Sequence, residues 1–95
     1  MSIVVRCNPP SLTTEQYDEA DRLLREAGVE PLPDGLECHV CFGSERNLRV
    51  SEIWDSREQF EAYGKQLSVM PVLAEIPFDS GGPPEIIEVH KLRKR

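Results

Sequence analysis

Residues 48–74, LRVSEIWDSREQFEAYGKQLSVMPVLA, decide the fold, because within them the side-chain pattern changes from that of a strand to that of a helix. In an extended chain Leu48, Val50, Glu52 and Trp54 share one face and Arg49, Ser51, Ile53 and Asp55 the other. Both faces are mixed, so neither is simply core or solvent. Ser56 has the chemistry of a helix N-cap, and Gln59 stands three residues on, where its side chain reaches back to the cap amide. Phe60, Tyr63, Leu67 and Met70 then recur at spacings of three and four, which predicts one buried stripe on a helix. Pro71 removes an N–H and interrupts that helix, and Val72, Leu73 and Ile76 resume the stripe in a second helical piece that Pro71 opens.

Working outward, residues 3–7 are rich in β-branched side chains and end at Asn8-Pro9-Pro10, which predicts a first strand and a turn. Thr13 with Gln16 forms a capping box, Leu12 and Tyr17 a hydrophobic staple, and Tyr17, Ala20, Leu23, Leu24 and Ala27 an apolar stripe, with Gly28 as the left-handed cap. The first helix is expected over residues 14–27. Residues 29–35, VEPLPDG, read as a turn, residues 36–42 as a second strand, and residues 43–47 as a short hairpin connection to the strand of Trp54. Residues 79–84, DSGGPP, read as a loop and residues 85–92 as the last strand.

The order strand, helix, strand, strand, helix, strand predicts an α+β fold of ferredoxin-like βαββαβ type: a four-stranded antiparallel sheet with two helices on one face. The single domain spans residues 1–95, with residues 91–95 as a basic tail. Apolar side chains fall on both sheet faces, since Val4, Ile53, Ile87 and Val89 alternate with Ile3, Val5, Trp54 and Ile86. Two helices cover one face only. A 95-residue chain buries a small share of its surface, so a homodimer covering the second face is expected.

Composition excludes several classes. The net charge is −6, and with four of the 11 basic residues in the last five positions, the first 90 residues carry 7 basic against 17 acidic side chains. Such a body repels nucleic acid and anionic lipid, so neither is an expected partner, and the terminal basic run reads as a solvated end. No apolar run is long enough for a membrane span, and residues 1–10 lack signal-peptide order, so a cytoplasmic location is expected. Three cysteines, Cys7, Cys38 and Cys41, read as free thiols. Cys38 and Cys41 match C-x-x-C, but residues i and i+3 of a strand point to opposite faces, so no metal site is expected there.

The side chains with chemistry to offer converge on the hairpin. Pairing the two strands places His39 opposite Glu52, and Glu37 opposite Trp54, on one face with Cys41 and Val50. A carboxylate beside a histidine favours imidazolium, and an indole supplies an apolar wall, which suits an aromatic, weakly acidic ligand. The competing reading makes His39–Glu52 a structural pair and Trp54 plain core. His90 reads as an ordinary exposed or interface histidine. Tyr17 and Tyr63 read as core residues with hydroxyls at the rim.

The chain resembles the dimeric α+β-barrel proteins related to antibiotic-biosynthesis monooxygenases. The resemblance rests on the element order, on His39-Val40 in the second strand, on Val50-x-Glu52-Ile53-Trp54-Asp55-Ser56 leading to Phe60, and on Leu67-x-x-Met70-Pro71-x-Leu73. It implies two sheets packed face to face and an apolar pocket in each subunit between sheet and helices. Trp54 matches the tryptophan of the monooxygenase and haem-degrading branches. Where haem degraders place a histidine in the following helix, this chain has Tyr63, Gly64 and Lys65. Where quinone-forming members carry an asparagine and a tyrosine, it has Val50 and Phe60. Haem is therefore disfavoured and no cofactor is expected.

Two functions follow as expectations. One is a small enzyme oxidising or isomerising an aromatic or polyketide-like molecule, with His39 and Glu52 as catalytic candidates and Trp54, His39, Phe60, Tyr63, Tyr17 and Met70 as ligand-binding candidates. The alternative is a non-catalytic homodimeric binding or interaction module. An RNA-recognition domain of the same element order is rejected, because the central strand lacks aromatics set among basic residues.

Overall fold

A computed structural model describes residues 1–77 and 81–95. Its elements are β1 (Ile3–Cys7), α1 (Thr14–Glu26), β2 (Leu36–Ser44), β3 (Asn47–Trp54), α2 (Arg57–Ser68), a 3-10 helix (Pro71–Glu75) and β4 (Glu85–Glu88). The strands form one antiparallel sheet in the order β2-β3-β1-β4, with the core against the helices. This is the ferredoxin-like α+β fold that the pattern predicts. Asp79 and Ser80 of the expected loop lie outside the described residues.

Local chemistry sets the helix ends. Thr13 accepts from the Gln16 amide at 3.1 Å while Gln16 Oε1 accepts from the Thr13 amide at 3.0 Å, closing the capping box; such a cap contributes about 1 kcal/mol. At the other end Gly28 takes φ +88°, and the amides of Gly28 and Val29 donate to the Arg25 and Leu24 carbonyls. That pair of bonds is a Schellman closure. On α2 the cap is one-sided: Ser56 Oγ accepts from the Gln59 amide at 3.2 Å, but Gln59 Oε1 takes the Ser56 hydroxyl instead of the cap amide. Pro71 opens the 3-10 helix, in which Val72 is buried.

The hairpin fixes the register. Gly43 has φ +119°, and a Cβ there would lie 2.5 Å from the Asn47 carbonyl oxygen, so only glycine fits opposite Leu48. His39 pairs with Glu52 and Cys41 with Val50, as the sequence implies. Glu37 is the exception. A β-bulge between Leu36 and Cys38 puts Leu36, not Glu37, opposite Trp54. The bulge seats buried Leu36 in the core and frees Glu37, which pairs with Lys94; the tail is thus not simply solvated.

Ile3, Val5, Leu36 and Trp54 form the core under α2, with Phe60, Tyr63, Cys7 and Ile86 packed around them. Val50 shares this inner face through its pairing with Cys7 and Cys41, so it is not on the face available to a partner sheet. The outer face carries Val4, Ile53, Ile87, Cys38, Val40 and Phe42; Val40 is 45% and Ile87 43% exposed. Cys38 and Cys41 thus lie on opposite faces. β4 ends at Glu88, four residues short of the expected strand, because its partner β1 begins at Ile3, opposite Glu88; past that pair the Val89 amide donates to the Ser2 carbonyl at 2.9 Å. His90 therefore lies outside the sheet and is exposed. No helix among the described residues is long and apolar enough to cross a membrane.

Candidate functional site

Three elements bring four polar groups into line. β3 supplies Glu52 and Trp54, two residues apart and so on the same face, and β2 supplies His39 directly opposite Glu52. α1 supplies Tyr17, and its start is pinned over the hairpin: the Leu48 amide donates to the Leu12 carbonyl and the Thr14 amide to the Glu45 carbonyl, each at 2.9 Å. His39 Nδ1 lies 2.5 Å from Glu52 Oε2, His39 Nε2 lies 2.7 Å from the Tyr17 hydroxyl, and Trp54 Nε1 donates to Glu52 Oε1 at 3.0 Å. The carboxylate only accepts, so Nδ1 carries a proton toward it. In the neutral ring Nε2 then accepts the Tyr17 O–H, and in the imidazolium that bond reverses.

The protonation states follow from these contacts. The Glu52 hydrogen bond raises the His39 pKa, reinforced by the charges of Glu52 and Asp21 and opposed by burial. Tyr17 is pushed up to about 12, first by burial and then by Cys41, Asp21, Glu52 and Asp18. Burial, with Glu52, also raises Tyr63. Both phenols therefore stay protonated at neutral pH, and His39 is the group poised to change charge. Burial raises the Cys7 and Cys41 thiols too, which keeps them protonated and poor nucleophiles.

The Tyr17–His39 end of the line opens on a cavity of about 500 Å³ between sheet and helices. Leu24, Val29, Leu32, Leu36, Val50 and Leu67 give it apolar walls; Tyr17, His39, Glu52 and Tyr63 give it a polar end. Ala20, Asp21, Arg25, Glu30 and Pro31 complete the lining, with Asp21 and Arg25 3.2 Å apart in an ion pair. Volume and lining are those of a small-molecule pocket.

Of the residues singled out from the sequence, His39, Glu52, Tyr17 and Tyr63 line this cavity. Trp54 does not. It is fully buried, with Phe60 edge-on at 5.6 Å and Tyr63 tilted at 5.4 Å between centroids, so it stands behind the carboxylate and not on the wall. Phe60 and Met70 are likewise absent from the lining. Asp21, Leu24 and Arg25 were not expected there, although Tyr17, Ala20, Asp21 and Leu24 follow the helical spacing that puts them on one stripe. The described residues hold no cluster of metal-ligating side chains.

No family model matches the chain, and no curated protein sequence is similar to it. Solved structures are. The chain is similar to a monooxygenase from the gene ActVA-Orf6 of Streptomyces coelicolor, in complex with Nanaomycin D, with a TM-score of 0.54 and 14% identity over 99% of this chain and 93% of that one. It is also similar to a protein from Chloroflexus aurantiacus assigned as an antibiotic biosynthesis monooxygenase, with a TM-score of 0.51 and 20% identity over 97% and 95% of the two chains. The fold is thus that of antibiotic-biosynthesis-monooxygenase-type structures along essentially the whole chain. At these identities the likeness concerns the fold, and function rests on the site.

Proposed function

We propose that this protein is a homodimer that binds a small aromatic or polyketide-like molecule in the cavity at Tyr17 and His39, and abstracts a proton from it on the way to oxidation or isomerisation. The observation that carries this reading is the line Tyr17–His39–Glu52–Trp54 ending in an apolar cavity. A ligand hydroxyl at the Tyr17 oxygen gives its proton to that oxygen while the Tyr17 proton passes to His39 Nε2. The ligand is left as a phenolate or enolate, Tyr17 neutral, and the imidazolium paired with Glu52. Tyr17, held protonated, is a conduit and not a base. The Streptomyces coelicolor neighbour, a monooxygenase in complex with Nanaomycin D, lends support for the ligand class. Second copies would cover the outer face of Val4, Ile53, Ile87, Val40 and Phe42, and free thiols at Cys7, Cys38 and Cys41 suit a cytoplasmic location.

Calorimetric titration with 2-naphthol tests the reading. Saturable binding to the wild type that weakens at least tenfold in both His39→Ala and Glu52→Gln is expected. Absence of binding, or binding untouched by both changes, would refute it. Binding with no conversion of any hydroxyaromatic offered would reduce the protein to the binding module.

A further inference from the structure

The lining of the Tyr17–His39 cavity is acidic. Asp21, Glu30 and Glu52 belong to it, against the Arg25 guanidinium and the His39 imidazole. Both cations are already matched: Arg25 Nε lies 3.2 Å from Asp21 Oδ2, and His39 Nδ1 lies 2.5 Å from Glu52 Oε2. Glu30 is exposed, with no cation within ion-pair distance among the described residues. Three carboxylates against at most two cations leave the lining net negative whichever state His39 is in.

Asp21 stands one helical turn beyond Tyr17 on α1, so the two share a side of the helix. Its charge is felt at the polar end of the cavity. Burial acts first on Tyr17 and the Glu52 hydrogen bond first on His39, but Asp21 adds to the upward shift of both. A negative charge that opposes tyrosinate opposes a ligand anion beside the Tyr17 oxygen in the same way. Asp21 also occupies Arg25, the guanidinium that would otherwise receive a carboxylate. The Asp21 side chain is 45% exposed, so its effect is of the kind that salt screens.

The proton transfer proposed above leaves the total charge of the cavity unchanged, because the proton leaving the ligand stays on His39. A neutral hydroxyl can therefore ionise in place, whereas a ligand that arrives as an anion adds to a lining already negative. We infer that the cavity selects its ligand by charge: it takes hydroxyaromatics that are neutral or carry an ammonium group and turns away those bearing a carboxylate, with Asp21 as the specificity-determining residue. Glu30, unpaired on the lining, is the acceptor for the ammonium group. This rests on the binding reading above and adds to it the charge class of the ligand.

The test is a calorimetric titration of the whole protein at low ionic strength with 2-naphthol, 6-hydroxy-2-naphthoate, its neutral carboxamide and 6-(aminomethyl)-2-naphthol. The carboxylate should bind at least about fivefold more weakly than the carboxamide of the same shape, and the ammonium compound at least as tightly as 2-naphthol, with both differences shrinking in high salt. Asp21→Asn removes the charge and releases Arg25, so it should bring the carboxylate to within about twofold of the carboxamide. Glu15→Gln, on the same helix but outside the lining, should leave the ratio of the two as it is in the wild type. Carboxylate and carboxamide bound equally by the wild type, a ratio that Asp21→Asn does not change, or one that both variants change alike would overturn the inference while 2-naphthol binding still upheld the proposed function. Binding of none of the four compounds would remove the proposed function and this inference with it.

Discussion

Trp54 donates its indole N–H to Glu52 Oε1 at 3.0 Å, so the most deeply buried large side chain of the protein holds the carboxylate that orients His39. Replacing Trp54 by Phe leaves a void and removes that donor. A loss of about 2–4 kcal/mol is expected, measurable by urea unfolding. A loss below about 0.5 kcal/mol, the scale of an ordinary surface change, would show that neither packing nor the hydrogen bond matters.

The His39 midpoint should lie above that of an ordinary histidine, because Glu52 favours the charged ring more than burial opposes it. With the folded pKa raised, the contribution to stability is full below the unfolded value of roughly 6.5 and fades as pH rises through the folded value. NMR titration of His39 in wild type and Glu52→Gln checks this, and the variant should titrate at lower pH. An unchanged midpoint would mean that the two side chains do not meet in solution.

Tyr17 adds a second alkaline loss. Its pKa rises from 10.0 to about 12, so the folded state keeps the phenol neutral where the unfolded chain ionises. Stability present below pH ~10 should therefore decline between pH ~10 and ~12. Tyr17→Phe should make that decline shallower, leaving the part that Tyr63, Cys7 and Cys41, also raised by burial, contribute, seen as a flatter alkaline limb in thermal unfolding against pH. An identical limb in the variant would place the loss elsewhere.

The outer sheet face predicts opposite results for two valines. Val40→Glu puts a charge where a second copy would cover it, and should give the 10.8 kDa chain mass in light scattering while the wild type gives twice that. Val50→Glu puts its charge on the inner face beside the cavity, and should lower stability without first splitting the dimer. A monomeric wild type at micromolar concentration would remove the homodimer from the proposed function.

What could be read beforehand was what is local. The capping box at Thr13, the Schellman glycine at Gly28 and the His39–Glu52 pairing each depend on a few neighbouring residues or on one tight hairpin. The contact of Tyr17 with His39 depends on how α1 is laid across β2, which periodicity alone does not state; it shows that Tyr17 is on the buried stripe but not what it meets. The bulge at Leu36 was hidden for a related reason. β2 has no clean alternation, since Glu37, Cys38, His39 and Val40 are all exposed, so a one-residue slip left no mark in the hydrophobic pattern. The extent of β4 was decided by β1, another strand altogether.

Trp54 is the single tryptophan of the chain, and its indole nitrogen is two hydrogen bonds from the imidazole through one carboxylate. Excited at the red edge of its absorption, where the two tyrosines do not absorb, the protein therefore emits from one chromophore wired to the group that changes charge. Proton loss from His39, or a guest arriving at Tyr17, alters the electric field at that chromophore with no label attached. The fold thus carries its own optical gauge, and a shift in emission colour during a pH or ligand titration reads the state of the line directly.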